Sequence, residues 1–485
     1  MNHNRLEEND CNCNKESKNY LFERKAASQW TEAFPVGNGR LGGVVYGGIQ
    51  HEQIQLNEDS FWYGGAKDNE NRAAQAALPE IQNLLLQGHV KQAEKLVLTH
   101  MTNAPHYFNP YQTLGNLFFD FDMNTEVNAI NNYGRELDLD NALIKVNYEV
   151  GRQGTEGRIA TAATDGIQKN AIQYNREIFA SAADQVLVIR MTTTDSAGLT
   201  FTAKIDRRPF NGEFVGTDDE LAISMKGQLG ADGVRYAVVL RAVVEGGQCQ
   251  ALGNYLDIRQ ASAVTVIVAA QTSFRCADAY AVAWQQAKRA AEVPYMTLKQ
   301  RHLDDYKPLF NRVTLDLEEE EAGRIELKQQ IPRQQCLSTS ERLERYRQGT
   351  ADNGLEVLFY QYGRYLMIAS SRPGTLPSNL QGIWNDSFMP PWESDYHLNI
   401  NLQMNYWLAE TGNLAECHFP LFDFIERLVI SGRKTACNIY GARGFVAHTS
   451  SNLWADWYLR SIYERQYVAD GWCMDCTTYV GALLL

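Results

Sequence analysis

The chain has 485 residues, of which 44% are hydrophobic, and it carries a formal net charge of -13 with a pI near 5.3. This length and composition exclude a disordered protein and allow more than one domain, each with its own core. The surplus of carboxylates argues against a nucleic-acid surface, which needs clustered Lys and Arg. No apolar run approaches the roughly 20 residues that span a bilayer, so we expect no membrane partner.

The chain begins with a polar segment that contains no apolar signal core. We therefore expect residues 1–19 to be disordered and the protein to be cytoplasmic as written, or extracytoplasmic if the true N-terminus is missing. The nine cysteines form an odd set without regular spacing, and Cys473 and Cys476 lack the partner residues of a zinc site. We predict no metal site and no cofactor.

Residues 20–275 have the texture of an antiparallel β domain. Short alternating segments rich in β-branched and aromatic residues are separated by Gly and Asn. Examples are 42–49, 185–192, 201–205 and 263–268. A helical excursion interrupts this domain at 72–101, and the 149–172 segment is typical of a surface insertion in a β hairpin.

The second part of the chain changes to a helical pattern. Residues 276–350 predict a helical linker, in which the acidic run at 318–321 is most simply a solvated face. Apolar residues at three- and four-residue spacing in 354–370 and 401–414 predict helices that pack on two sides. We therefore expect this part to be all-α.

Residues 364–407 combine Trp, Tyr, His, amide and carboxylate side chains with Pro and Gly, a composition typical of a stacked, hydrogen-bonded sugar pocket. His397, Asn399 and Asn401 alternate with two aliphatic residues. An extended backbone would place all three polar side chains on one side. A polar strand edge or a turn would produce the same alternation.

Several blocks, in one order, resemble glycoside hydrolase family 95, the α-L-fucosidases. The blocks are WTEAFPVGNGRLGGVVYGG from Trp30, IQLNEDSFWYGG from Ile54, YQTLGNLFFDF from Tyr111, YGRELDLDNA from Tyr133, NREIFASAADQVLVIRM from Asn175, the 364–407 segment and ETGNLAECHFPLFDFI from Glu410. The resemblance implies a multidomain β + α protein with an N-terminal antiparallel β-sandwich-like domain and a helical linker. Residues 351–456 would then form the first part of an (α/α)6 barrel that this chain leaves incomplete.

The resemblance implies release of terminal α-linked L-fucose from a fucosylated glycan or oligosaccharide, with inversion at the anomeric carbon. It assigns the catalytic water to Asn399 and Asn401, whose carbonyl oxygens would accept its hydrogen bonds while their NH2 groups donate to a carboxylate. It also assigns His397 to a fucose hydroxyl, with a structural role as the alternative.

Four further residues belong to this interpretation. Trp392 is a candidate sugar-binding surface or a rim residue, and Trp384 is more simply a rim residue that holds the loop down. Asp395 is expected to orient the loop, because the family's general acid is a Glu farther along the chain. His448 is expected to face the pocket, with core packing as the alternative.

The N-terminal blocks carry polar residues that could be mistaken for a site. Asn57 and Glu58 lie beside Trp62. In the family's architecture this domain buttresses the barrel, so we expect them to support the fold.

The resemblance fades after Asp456, and residues 457–485 are expected to be a non-family tail caused by a frameshift between about 457 and 467. Read one base over, permitted codons for 468–484 give a family-like block. Coding DNA that encodes no such block in either neighbouring frame would exclude this hypothesis. The general-acid Glu and the Asp that polarises the asparagines would both fall after the tail, so we expect this chain to be inactive.

Three alternatives stay open. An α-L-galactosidase of the same family is a close variant, because L-galactose differs from L-fucose by one hydroxyl. A sugar phosphorylase is disfavoured, because no phosphate-binding cluster flanks Asn399. The third alternative is a non-catalytic gene remnant, either a degraded gene or a binding module that uses only the β domain. The oligomeric state is not predicted.

Overall fold

The computed structural model describes residues 19–68, 70–101, 109–123, 130–151, 171–210, 214–317, 337–398 and 400–458. Several sequence predictions fall outside these described residues. They concern the N-terminal 1–18, most of the 149–172 insertion, the acidic run at 318–321, Asn399, and the tail beyond residue 458 with Cys473 and Cys476.

Two large antiparallel sheets form the N-terminal part of the described chain. Their strands are β1 Tyr20–Glu23, β2 Phe34–Gly37, β3 Leu41–Val45, β4 His51–Glu58, β5 Gly115–Phe121, β6 Ile130–Asp138, β7 Leu143–Val150, β8 Ile172–Ser181, β9 Val186–Thr193, β10 Leu199–Asp206, β11 Phe214–Asp219, β12 Ala222–Gln228, β13 Arg235–Glu245, β14 Gln248–Leu252, β15 Tyr255–Ala261 and β16 Ala263–Thr272. One sheet has the order β1-β6-β7-β8-β9-β16-β13-β12-β11, and the other has the order β14-β15-β10-β5-β4-β3-β2.

Strand β16 explains how the sandwich is built from its sequence. All ten of its residues are buried. Val264, Val266 and Val268 belong to the core between the sheets, whereas Ile267 and Ala269 belong to a second cluster with the alanines of the first linker helix. A strand covered on both faces needs a continuous apolar run, and this strand has one.

Nine α-helices occur in the described residues. They are α1 Ala74–Leu86, α2 Val90–His100, α3 Ala279–Ala291, α4 Tyr295–Phe310, α5 Thr339–Arg347, α6 Asn353–Ser370, α7 Asn401–Asn405, α8 Trp407–Thr411 and α9 Phe419–Tyr440. Side-chain caps fix three starts: Asp278 caps α3, Ser338 forms a capping box with Glu341 at α5, and Asp352 caps α6. None of the described helices combines the length and apolar content needed to cross a bilayer.

The β sandwich and the helical part share one hydrophobic core. A single buried cluster extends from Phe34 in β2 to Ala455 after the last helix. Two buried tyrosines also bond across this boundary. The Tyr365 hydroxyl donates to the Pro35 carbonyl at 2.6 Å, and the Tyr306 hydroxyl donates to the Leu139 carbonyl at 2.6 Å. Helices α4 and α6 are therefore fixed against the sandwich.

The predicted fold class, an antiparallel β sandwich followed by a helical region, is confirmed. The helical excursion expected at 72–101 consists of the two helices α1 and α2. One detail of the prediction was wrong, because the second part is not all-α. Three short strands, β17 Tyr396–His397, β18 Ser450–Ser451 and β19 Trp457–Tyr458, form a small sheet there. Their backbone groups pair with each other because no helix satisfies them.

The extended backbone considered for 397–401 is also corrected. The strand ends at His397, and the Leu398 N–H still donates to the Thr449 carbonyl at 2.6 Å. Its partner strand β18 has only two residues, so no ladder is available beyond this point. The chain then turns through Ile400, and Asn401 begins helix α7.

Candidate functional site

The loop between α6 and β17 carries Trp392 and Asp395, leads into His397 and lies against the β sandwich. Asn385 is its main attachment point. Its carbonyl accepts hydrogen bonds from the Gln55 and Asn57 amides at 2.8 and 2.9 Å. Its own side-chain amide donates to the Tyr111 carbonyl at 3.1 Å. All four residues are buried, so these bonds hold the loop in the absence of competing water.

Trp384 and Tyr111 make two further bonds between the loop and the sandwich. The Trp384 indole N–H donates to the Val36 carbonyl at 2.9 Å, and its ring is buried. The Tyr111 hydroxyl donates to the Ile383 carbonyl at 2.6 Å. Trp384 thus holds the loop to the sandwich and presents no open face to a ligand.

A buried ion-pair network lies beneath the loop. Arg275 contacts Glu58 at 3.0 Å and Asp59 at 2.6 Å, and Asp59 also accepts a hydrogen bond from the Leu376 N–H at 2.8 Å. Burial raises the pKa of Asp59, whereas Arg275 lowers it. Asn57 and Glu58, which the sequence assigned to fold support, make their contacts within this sandwich-to-loop interface.

The loop next passes through a left-handed turn. Trp392, Glu393 and Ser394 have φ values of 56°, 52° and 50°, respectively. Left-handed backbone costs roughly 1–2 kcal/mol per non-glycine residue. The surrounding bonds maintain it: the Tyr111 N–H donates to the Glu393 carbonyl at 2.9 Å, and the Ser394 hydroxyl donates to Asn379 Oδ1 at 3.0 Å. Such strain is typical of functional loops.

Asp395 follows this turn, and its side chain contacts His397. The Asp395 side chain is 0% exposed, and its two carboxylate oxygens lie 3.1 and 3.2 Å from His397 Nδ1. A carboxylate at Nδ1 selects the tautomer that carries its proton there, which leaves the Nε2 lone pair as an acceptor. Asp395 therefore contacts the His397 ring, and the loop-orienting role expected from the sequence stays a prediction.

Trp392 stands beside the same histidine. Its ring centroid lies 5.7 Å from that of His397, at an interplanar angle of 73°. Trp392 is 53% exposed, and His397 is partly buried. The structure thus brings Trp392, Asp395 and His397 together as an aromatic surface, an oriented imidazole and its carboxylate.

Of the two asparagines predicted to hold the catalytic water, Asn401 lies among the described residues and Asn399 does not. Asn401 is half-buried at the first position of α7, and none of the other described residues hydrogen-bonds its side chain. The helix is held toward the loop by Asn405, whose amide donates to the Asn379 carbonyl at 2.9 Å. Asn399 lies outside the described residues, so its role stays a prediction.

His448 is packed apart from this group. Its ring lies 4.1 Å from the Trp457 ring centroid, and its Nε2 is 3.3 Å from the Tyr440 hydroxyl. It is 1% exposed, and burial lowers its pKa to about 4. The structure therefore shows the core packing that was its alternative, and a sugar-binding role for it stays a prediction.

The sequence missed the strand β18 and the anchors Tyr111 and Asn385. The turn-forming residues after Trp384 were the only indication of a role for Asn385. Nothing in the sequence indicated that Thr449 would pair with Leu398. Among the described residues, no group of three or more His, Cys, Asp or Glu side chains is arranged to hold a metal ion.

Comparison with known proteins gives a match for each of the two parts of the chain. Residues 21–277 match the N-terminal domain of glycosyl hydrolase family 65, and residues 294–478 match the glycosyl hydrolase family 95 catalytic domain. Both matches are thus to domains of glycoside hydrolases. The match of residues 294–478 is to the catalytic domain of glycoside hydrolase family 95. The match reaches residue 478, beyond the boundary expected at 457, and the frameshift stays a prediction.

Two curated relatives are similar over most of this chain. "Alpha-L-fucosidase 2" of Arabidopsis thaliana is 35% identical over an alignment of 457 positions, gaps included, that covers 88% of this chain and 51% of the relative. "Probable alpha-fucosidase A" of Aspergillus niger is 31% identical over an alignment of 490 positions, gaps included, that covers 91% of this chain and 55% of the relative. The chain spans about half the length of the curated relatives it matches.

A solved structure shares the architecture. "Putative kojibiose phosphorylase from human microbiome" superposes with a TM-score of 0.55 at 10% identity, covering 92% of this chain and 53% of that chain. At this identity the likeness concerns the fold alone.

Proposed function

We propose that this chain carries the fucose-binding part of an inverting α-L-fucosidase that acts on fucosylated glycans. The observation that carries the proposal is the Asp395–His397 pair beside the exposed Trp392. The relatives' names give the substrate class, since both are fucosidases. The loop geometry supports recognition of a sugar, because it combines an apolar ring with an oriented hydrogen-bonding group.

His397 binds a fucose hydroxyl through Nε2. Asp395 accepts the Nδ1 proton and thereby fixes the ring, so a hydroxyl that donates to Nε2 meets a pre-oriented acceptor. Trp392 covers one C–H face of the sugar. Because the Trp392 and His397 rings are in contact, the two side chains bind neighbouring parts of one ligand.

Asn399 and Asn401 position the attacking water. An amide cannot take a proton at neutral pH, but its carbonyl oxygen can accept the water's hydrogen bond while its NH2 group donates to a carboxylate. That carboxylate orients the amide and supplies the basicity. The half-buried position of Asn401 at the start of α7 suits a group that meets a single water molecule.

Inversion also requires an acid on the opposite face of the sugar. By the family resemblance we expect this Glu, and the Asp that polarises the asparagines, to lie beyond residue 485. The curated relatives, which are about twice as long as the matched region, leave room for both. A missing proton donor lowers the rate by on the order of 10²-fold or more. We therefore propose that the 485-residue polypeptide does not hydrolyse fucosides at a useful rate.

The test compares two polypeptides on an oligosaccharide with a terminal α-linked L-fucose. One is the 485-residue chain, and the other is extended with the family sequence to the relatives' length. Proton NMR follows the released sugar. We expect β-L-fucose as the first product from the extended chain and no release from the short one. Turnover by the short chain would overturn the assignment of the acid, and α-L-fucose as the first product would overturn inversion.

A matched L-galactoside tests the alternative within the family. L-Galactose adds a hydroxyl to the C5 methyl of fucose, so a pocket that packs the methyl tightly rejects it. We expect the fucoside to be hydrolysed faster by the extended chain. Preference for the galactoside would make the protein an α-L-galactosidase of the same fold.

A further inference from the structure

The outer face of the nine-stranded sheet carries a groove that is separate from the His397 loop. It has a volume of about 610 Å3 and lies between strands β7 to β9 and the start of α4. None of its lining residues belongs to the loop that carries Trp392, Asp395 and His397. Its volume lies within the range of roughly 300–1,000 Å3 that small-molecule sites occupy.

The floor of the groove consists of polar side chains in strict register. Asn147 pairs with Asn175 across β7 and β8, and Asn175 pairs with Thr192 across β8 and β9. Paired residues on one face of antiparallel strands have Cβ atoms about 4.5–5.5 Å apart. The two amides and the hydroxyl therefore form a continuous row of hydrogen-bonding groups along the floor.

A second row, two residues along each of these three strands, consists of Lys145, Glu177 and Arg190. With Glu245 of β13, the charged lining residues are two cations and two carboxylates. Arg190 contacts Glu245 at 2.6 Å, and Glu177 is held by Lys299 at 2.7 Å. Because the charges already neutralise one another, the groove favours an uncharged ligand over an anion or a cation.

The wall of the groove is apolar and aromatic. Pro294, Tyr295 and Met296 overhang the polar floor at the start of α4. The Tyr295 hydroxyl donates to Glu177, and Arg190 lies 5.3 Å from the Tyr295 ring centroid, so the ring is held in place. A smaller cavity of about 230 Å3 continues the groove past Glu245 and Tyr295.

We propose that this groove is a second glycan-binding site, which takes an uncharged oligosaccharide and performs no chemistry on it. Paired amides that both donate and accept match neighbouring sugar hydroxyls. The Tyr295 and Met296 wall matches the C–H faces of the sugar rings. The groove would hold the substrate glycan to the β sandwich independently of the fucose loop.

The test uses the full 485-residue chain and probes that lack fucose. An array of neutral oligosaccharides built from galactose, glucose and N-acetylglucosamine selects the strongest ligand, and calorimetry measures its Kd. We expect binding to weaken at least tenfold in the double variant Asn147→Ala with Asn175→Ala. The control Gln173→Ala alters an exposed residue on the same face of β8, outside the groove, and should leave Kd unchanged.

The outcomes separate this site from the proposed fucose loop. His397→Ala should leave binding of the fucose-free ligand unchanged, whether or not the chain has fucosidase activity. Three results would overturn the proposal: no neutral oligosaccharide binds, the double variant binds as tightly as the parent while it melts at the same temperature, or sialylated and sulfated probes bind better than their neutral counterparts.

Discussion

The backbone N–H of Tyr111, in the β sandwich, donates a 2.9 Å hydrogen bond to the carbonyl of Glu393, in the left-handed turn that precedes His397. The Tyr111 side chain makes a second bond to the same loop, at Ile383. One residue of the sandwich thus fixes the loop at two points, so the site's geometry depends on a domain that contributes none of its proposed sugar-binding groups.

Removing the Tyr111 hydroxyl should destabilise the protein. Tyr111→Phe leaves the buried Ile383 carbonyl without its donor, which costs on the order of 1–3 kcal/mol. Urea denaturation followed by tryptophan fluorescence measures the loss. Tyr255→Phe, at an exposed tyrosine, is the control and should change the free energy of unfolding little. Equal stability of both variants would argue against the anchor.

Ile400 should tolerate glycine better than its helical neighbour does. Its φ of 137° is a conformation that β-branched residues rarely adopt, and its side chain is 45% exposed. Ile400→Gly therefore relieves strain and should raise the free energy of unfolding, by about 1 kcal/mol. Met404→Gly, at an exposed helical position, should lower it by about as much. Thermal unfolding measures the stability of the two variants. A lower stability in both would show that Ile400 is not strained.

Much of the sandwich could be predicted because its periodicity is local. The segments at 185–192 and 263–268 coincide with strands β9 and β16, where alternation or a continuous apolar run reports burial directly. The helix at 354–370 was predictable for the same reason. The sequence predicted that Asp395 orients the loop, but it did not predict the contact of Asp395 with His397.

The support of the loop could not be predicted. Tyr111 and Ile383 are 272 positions apart, and Asn57 and Asn385 are 328 apart. Bonds over such separations depend on the tertiary fold, and no period in the sequence encodes them. The sequence could not decide between a strand and a turn at 397–401, because the alternation fits both. The structure has the turn, since the partner strand β18 is too short to extend the strand.

Acid should destabilise the protein through His448. Burial lowers its folded-state pKa to about 4, whereas an unfolded histidine titrates near 6.5. The unfolded chain therefore binds more protons between these values, and stability falls as the pH drops from about 6.5 to about 4. The full loss is on the order of 3 kcal/mol.

The variant His448→Phe isolates this effect. It keeps an aromatic ring against Trp457 and removes the titrating group. Burial raises the pKa of Asp456 to about 6, so Asp456 lowers the free energy of unfolding as the pH rises from about 4 to 6. This effect is opposite to that of His448, and it is present in both the parent and the variant. Chemical denaturation at several pH values measures the free energy of unfolding of both proteins. We expect the parent's value minus the variant's value to fall as the pH is lowered. A constant difference would mean that His448 does not titrate there.

The amide variant Asp395→Asn tests the orientation of the imidazole. The amide fills the same buried space, but it is uncharged and can also donate, so it no longer selects one tautomer of His397. We expect L-fucose to bind several-fold more weakly, with the free energy of unfolding lowered by about 1–3 kcal/mol. Unchanged affinity would show that Asp395 does not act through His397.

Calorimetric titration of L-fucose into the parent chain and His397→Ala tests the central claim most directly. The control is His51→Ala, since His51 also pairs with a carboxylate, Asp120 at 2.8 Å, but lies exposed on the sandwich. We predict at least tenfold weaker binding in His397→Ala, equivalent to about 1.4 kcal/mol, and no change in His51→Ala. If fucose binds His397→Ala as tightly as the parent, or does not bind the parent at all, this loop is not the fucose site.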